Sequence, residues 1–219
     1  MTIRKIEIHL QALAQLLKKN KTDFADLSSF NFYKQQQIRA YRDQLLAEHL
    51  QIGIEALSFA KHEHGKPFLS SHALHFNHSH SRHYYALAVS KRVQDIGVDV
   101  EELDRKVRFD AFAQHAFHPD EYQIWQQEQN KEYWFKVWTT KEAILKASGL
   151  GIRLNLNSLN TQVHPEQTGG VCTHPLIGTF AYQNFILNRI VITVAWRSEQ
   201  SCRGFQCKRP LNTPSEFIL

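Results

Sequence analysis

The sequence predicts an α+β protein built in two halves that follow one plan. Each half holds a long segment with apolar residues at helical spacing, over residues 34–50 and 131–148, and each segment is followed by short apolar runs with the alternation of strands. No low-complexity stretch or flexible linker parts the halves, so they are expected to pack closely, with lobes 1–103 and 104–219. A chain of 219 residues with 42% hydrophobic content is long enough to bury a proper core.

The elements follow in order. The N-terminus, MTIRKIEIHLQALAQLLKK, alternates as a short strand and then turns amphipathic, without the apolar core of a signal segment, so the protein is expected in the cytoplasm. Ile38, Tyr41, Leu45, Leu46 and Leu50 mark the first long helix, over residues 34–50. Tyr84–Ser90 (YYALAVS) reads as a buried strand. Residues 96–101 (IGVDVE) alternate cleanly, with Ile96, Val98 and Val100 on one face and Gly97, Asp99 and Glu101 on the other. Pro119 suits the first turn of a helix through Trp125, and a longer helix over residues 131–148 is closed by Gly149. Strands are expected at 152–156, 178–182 and 185–196, the last with Ile190, Ile192, Val194 and Trp196 on one face.

Composition narrows the function classes. The net charge of +5 favours anionic partners, but the basic groups are spread, with mild clusters at Lys18, Lys19 and Lys21, at Arg105, Lys106 and Arg108, and at Arg203, Lys208 and Arg209. No aromatic-interleaved basic stripe or nucleic-acid signature occurs, so no nucleic-acid partner is expected. No apolar run reaches the roughly 18–20 residues of a membrane span, so no membrane partner is expected either. Cys172, Cys202 and Cys207 are odd in number and lack zinc or disulfide spacing, and they read as free thiols. Four histidines, His75, His78, His80 and His83, fall close together, and His78 and His80 on one strand face could grip an ion. Chance clustering among 13 histidines is the plainer explanation.

The second long helix carries the most information. Trp134, Val137, Trp138, Ile144 and Leu145 form its apolar face, with Glu142 and Lys146 one turn apart on the margin. An isolated pair of this kind is an ordinary surface contact worth a few tenths of a kcal/mol. Lys141, however, falls inside the apolar stripe, where an ammonium is costly unless it meets carboxylates or phosphate. Asp99, Glu101 and Glu142 together could offer three carboxylates to one hard cation such as Mg²⁺, for which histidine is a poor ligand.

Five motifs in order, GKP at 65–67, FNHSHS at 76–81, GVDVE at 97–101, FHPDE at 117–121 and WTTKEAILK at 138–146, resemble the surfactin-type 4′-phosphopantetheinyl transferases. The resemblance implies a pseudo-twofold α+β fold of two similar lobes with coenzyme A bound in the cleft between them. It implies an enzyme that moves 4′-phosphopantetheine from coenzyme A to a serine of an apo acyl or peptidyl carrier protein and releases adenosine 3′,5′-bisphosphate. Carried over, Asp99, Glu101 and Glu142 would hold Mg²⁺, Glu142 would also take the serine proton, and Lys146 would bind the diphosphate and stabilise the leaving group. His80 would contact the phosphates of coenzyme A, with Ser79 beside it at the 3′-phosphate and Arg42 meeting the same group. Lys66 and Pro67 would line the adenine pocket. His75 and His83 are expected to be structural or surface residues, and His78 receives no role. A monomer is expected. The alternative is a non-catalytic coenzyme A or carrier-protein binding relative, against which the intact set of Asp99, Glu101, Glu142 and Lys146 argues. The segment with Arg105, Lys106 and Arg108 around Val107 and Phe109 suits steering an acidic carrier helix and packing on its apolar side.

Overall fold

The computed structural model describes residues 5–198 and 205–208. The chain runs through strand β1 (Ile6–Ala12), the single turn α1 (Leu13–Leu16) and the long helix α2 (Leu27–Leu50), then β2 (Phe59–Lys61), β3 (Pro67–Leu69), β4 (His75–His80) and β5 (Tyr84–Ser90). The second half holds β6 (Gly97–Glu102), α3 (Phe109–Ala116), α4 (Pro119–Glu128), α5 (Lys131–Ser148), β7 (Gly169–His174), β8 (Gly178–Leu187) and β9 (Ile190–Arg197), and β10 (Phe205–Lys208) follows. Two four-stranded sheets result, ordered β10-β1-β5-β4 and β6-β9-β8-β7, beside the small β2-β3 ribbon.

Each large sheet is covered on its outer face by helix. Ile38, Leu45 and Leu46 of α2 pack with Tyr85, Leu87 and Val89 of β5. Trp134, Val137 and Ile144 of α5 pack with Phe180, Val191 and Ala195 of the second sheet. The inner faces meet each other: Ile6, Ile8, Ala86 and Ala88 share one core with Val98, Val100, Ile192 and Val194. Alternation lets β9 serve two cores at once, whereas β6 gives Val98 and Val100 to the inner core and turns Gly97, Asp99 and Glu101 to the other face.

Several expectations need correction. Helix α2 starts at Leu27, seven residues before the expected start at 34, because the Asp26 side chain accepts a hydrogen bond from Ser29 N (2.7 Å) and caps it. Its first turns are largely exposed, with Phe32 64% accessible, so no apolar stripe announced them. The strand expected at 152–156 is instead a pair of 3₁₀ turns, Gly151–Arg153 and Leu156–Ser158, entered through Gly151 at φ +65°. The strand expected over 185–196 is a hairpin that reverses at Asn188, which adopts φ 56°. β7 was not anticipated. The sheets also cross the expected division at 103/104, since β6 hydrogen-bonds to β9 and β10 returns to the first sheet beside β1. Cys172 is a buried free thiol whose pKa burial pushes up to about 12, whereas Cys202, Arg203 and Arg209 lie outside the described residues.

Candidate active site

The seam between β6 and α5 is unusually close. A Cβ on Gly97 would sit 2.0 Å from Ala143 O and 2.5 Å from Ala147 N, so only glycine lets the strand approach the helix this far. Two residues along β6, on the same face, Asp99 is thereby brought to the margin of α5 where Glu142 and Lys146 stand. Asn77 of β4 adds the third element: its Oδ1 accepts a hydrogen bond from Val98 N at 2.9 Å and holds β4 against β6.

Lys146 Nζ contacts Asp99 Oδ1 at 2.6 Å, Ser79 Oγ at 2.9 Å and Val98 O at 3.3 Å, and Ser79 Oγ donates to Asp99 Oδ1 at 2.8 Å. The second carboxylate oxygen, Asp99 Oδ2, is buried without a hydrogen-bond partner. Burial and the neighbouring Asp99 push the Glu101 carboxyl up to about 7, against the opposing pull of Arg105, which ion-pairs with it. The same two causes raise Glu142, and Lys146 opposes them. An orphaned oxygen and two carboxyls raised by a third describe a seam short of positive charge, and an all-oxygen donor set fits a hard divalent cation such as Mg²⁺. The ligand atoms of Asp99, Glu101 and Glu142 do not all lie within 4.8 Å of one another; Asp99 pairs with Lys146 and Glu101 with Arg105.

A groove leads away from this seam. One part, of about 280 Å³, is lined by Lys66, Pro67, Asn77, His78, Glu142 and Lys146. The adjoining part, of about 510 Å³, shares Pro67 and His78 and continues past His80 to Arg39 and Arg42 of α2. Arg42 lies over the rings of Phe59 (4.4 Å) and Phe76 (5.8 Å) and pairs with Asp43 at 2.6 Å. Arg39 was missed in the sequence, although Gln35, Arg39 and Arg42 stand at i, i+4 and i+7 and so share a helix face. The Lys66 stem lines the groove, but its ammonium donates to Ile96 O (3.0 Å) and Ala147 O (2.9 Å), and burial lowers its pKa to about 8.

Strand alternation separates two residues expected to act side by side. Ser79 faces Asp99 and Lys146, whereas His78 and His80 point to the opposite face, toward α2. Burial drives the His78 pKa down to about 3 and lowers that of His80, which disfavours the charged imidazolium in both. His83 instead pairs with Glu102 at 2.9 Å, and the four histidines do not gather into a metal-ligating group.

Lys141 does meet a carboxylate, but in the core. Its Nζ lies 2.8 Å from Glu121 Oε2 with both side chains inaccessible, and it also donates to Leu156 O (2.9 Å) and Leu159 O. Glu121 Oε1 in turn accepts from Thr161 N at 2.7 Å, and Oε2 from His118 N at 2.8 Å. The glutamate of the FHPDE motif is thus a clamp joining α4, α5 and the 3₁₀ turns.

The family model described as the 4′-phosphopantetheinyl transferase superfamily (ACPS) matches residues 95–195. Among curated proteins, the chain is 37% identical over 138 residues to the 4′-phosphopantetheinyl transferase gsp of Aneurinibacillus migulanus, covering 60% of this chain and 53% of the relative. It is 32% identical over 111 residues to a 4′-phosphopantetheinyl transferase of Bacillus subtilis, covering 49% and 48%, and 29% identical over 178 residues to HetI of Nostoc sp., covering 77% and 74%. The chain spans about half the length of the first two of these relatives. The family match runs unbroken through β6 and α5, the two elements that carry Asp99, Glu101, Glu142 and Lys146, and over these elements the chain is similar to the 4′-phosphopantetheinyl transferase superfamily.

Proposed function

We propose that this protein transfers 4′-phosphopantetheine from coenzyme A to a serine hydroxyl of an apo acyl or peptidyl carrier protein. The observation that carries this reading is the Ser79–Asp99–Lys146 cluster, flanked by Glu101 and Glu142, at the end of a groove that reaches Arg39 and Arg42. The serine oxygen forms a bond to the phosphorus bearing pantetheine as the bond to adenosine 3′,5′-bisphosphate breaks. Asp99, Glu101 and Glu142 would hold Mg²⁺, which when bound supplies charge neutralisation for the diphosphate.

The chain's own residues do the rest. Glu142, raised by burial and by Asp99, is suited to take the serine proton. Lys146, at the carboxylate edge, faces the oxygen that gains charge as the leaving group departs. His80 and Arg39 meet anionic oxygens along the groove, and the Pro67 ring offers an apolar wall. The test is incubation with coenzyme A, Mg²⁺ and a panel of apo carriers. A mass gain of one phosphopantetheine on the carrier serine is expected, while coenzyme A binding without any transfer would leave only a binding protein.

His80→Ala is expected to weaken coenzyme A binding about tenfold, the effect of losing one hydrogen bond to a charged group. His83→Ala, whose imidazole is mostly exposed and faces Glu102, should leave it within about twofold. Calorimetric titration with coenzyme A checks both, and equal losses would remove His80 from the phosphate site.

The carrier surface needs revision from the sequence. Val107 and Phe109 pack inward on the α5 core, so the apolar pair is not available to a partner, while Arg105 ion-pairs with Glu101 and stays half-exposed. Lys106 and Arg82, together with Arg105, line a cavity of about 650 Å³ that opens beside Glu101. Reversing Lys106 and Arg82 to Glu should raise the carrier KM several-fold, with the coenzyme A KM unchanged. Added salt should shrink the difference, since exposed charges are screened beyond about 8 Å at physiological ionic strength. A change in the coenzyme A KM alone would place these residues in the cofactor groove.

A further inference from the structure

We infer that Glu7, His9 and His49 form a second metal site, for a first-row transition ion of the Zn²⁺ type, on the outer face of the first sheet. Alternation in β1 puts Glu7 and His9 on the same face, and the last turn of α2 brings His49 over them. His9 Nε2 and His49 Nε2 lie 2.8 Å apart with ring planes at 89°, and one ligand atom from each of the three residues falls within 4.8 Å of the other two. Among the described residues no other group of histidine, cysteine or carboxylate side chains converges in this way.

The donor set decides the ion. Two imidazole nitrogens and one carboxylate suit Zn²⁺ and are a poor match for Mg²⁺ or Ca²⁺, which prefer oxygen. In the ion's absence one imidazole must donate a proton to the other across the 2.8 Å contact, and a divalent ion can replace that shared proton with a small opening of the pair. His9 is buried, whereas Glu7 and His49 are partly accessible. Lys5 Nζ, on a half-exposed side chain, lies 2.9 Å from Glu7 Oε1 and has to yield or share that carboxylate.

This site is separate from the carboxylate seam. In the register across the sheet, Leu87 stands between His9 and His78, so β5 parts the two. An ion there would fasten the C-terminal turn of α2 to β1 and so fix the helix that carries Arg39 and Arg42, and the site holds whatever reaction the protein performs.

The experiment uses the full chain stripped with chelator and titrated with Co²⁺ and with Zn²⁺. One equivalent of Co²⁺ should give the visible absorption of a low-coordinate nitrogen and oxygen site, bleached by Zn²⁺. Zn²⁺ at about a hundred times its Kd should raise Tm by about 5–10 °C. Both signals should vanish in His49→Ala and in Glu7→Gln, which keeps the side-chain shape should the first variant fold poorly, and persist in His75→Ala/His83→Ala. No Co²⁺ spectrum in the native chain, signals that survive Glu7→Gln, or signals that follow His75 and His83 would overturn the assignment.

Discussion

Glu142→Gln and Asp99→Ala are each expected to lower carrier modification by on the order of 10²–10³-fold, the range seen when one preorganised charge is removed from a reacting centre. The two should differ in detail. Glu142→Gln keeps the size of the side chain and removes only its charge and its capacity to accept a proton, so substrate binding should survive while turnover falls. Asp99→Ala takes away the partner of Lys146 and Ser79 as well as a carboxylate, so binding of the divalent cation should weaken too. Lys146 is partly solvated, with 28% of its side chain accessible, and can turn to water, so the fold should persist in both variants. Single-turnover transfer at saturating Mg²⁺, beside a circular dichroism spectrum, measures this. Near-native turnover by Glu142→Gln would take that residue out of the mechanism.

Glu121→Ala should lower unfolding free energy by about 3–5 kcal/mol, the cost of leaving one member of a buried ion pair alone. Burial lowers the pKa of the Lys141 ammonium and the Glu121 carboxylate opposes that, so without Glu121 the lysine would have to lose its charge or unfold its surroundings. His118 N and Thr161 N would also lose their acceptor. Replacing both partners, as in Glu121→Gln/Lys141→Met, should recover a large part of the loss, because no uncompensated charge remains. Urea unfolding of the three proteins checks the order. A Lys141→Met variant with native stability but weakened coenzyme A binding would move Lys141 out of the core and into the site.

What the sequence determined by itself were the features written in local period. The alternation over residues 96–101 put Asp99 and Glu101 on one strand face, and the four-residue spacing of Glu142 and Lys146 put them on one helix margin. Both hold in the structure because backbone geometry fixes them before any packing occurs. The oddity of Lys141 was equally legible, since a cation in an apolar stripe requires a partner.

Which partner it finds was settled only by the tertiary fold. Glu121 is twenty residues upstream on another helix, and the segment expected as a strand at 152–156 coils into 3₁₀ turns whose Leu156 and Leu159 carbonyls face the same ammonium. The sequence resemblance set Ser79 and His80 side by side at one phosphate, and only the tertiary fold separated them, because one face of β4 meets β6 and α5 while the other meets α2. That choice follows from the close seam at Gly97 and from two sheets burying their inner faces against each other, contacts between residues far apart in the chain that no local period encodes.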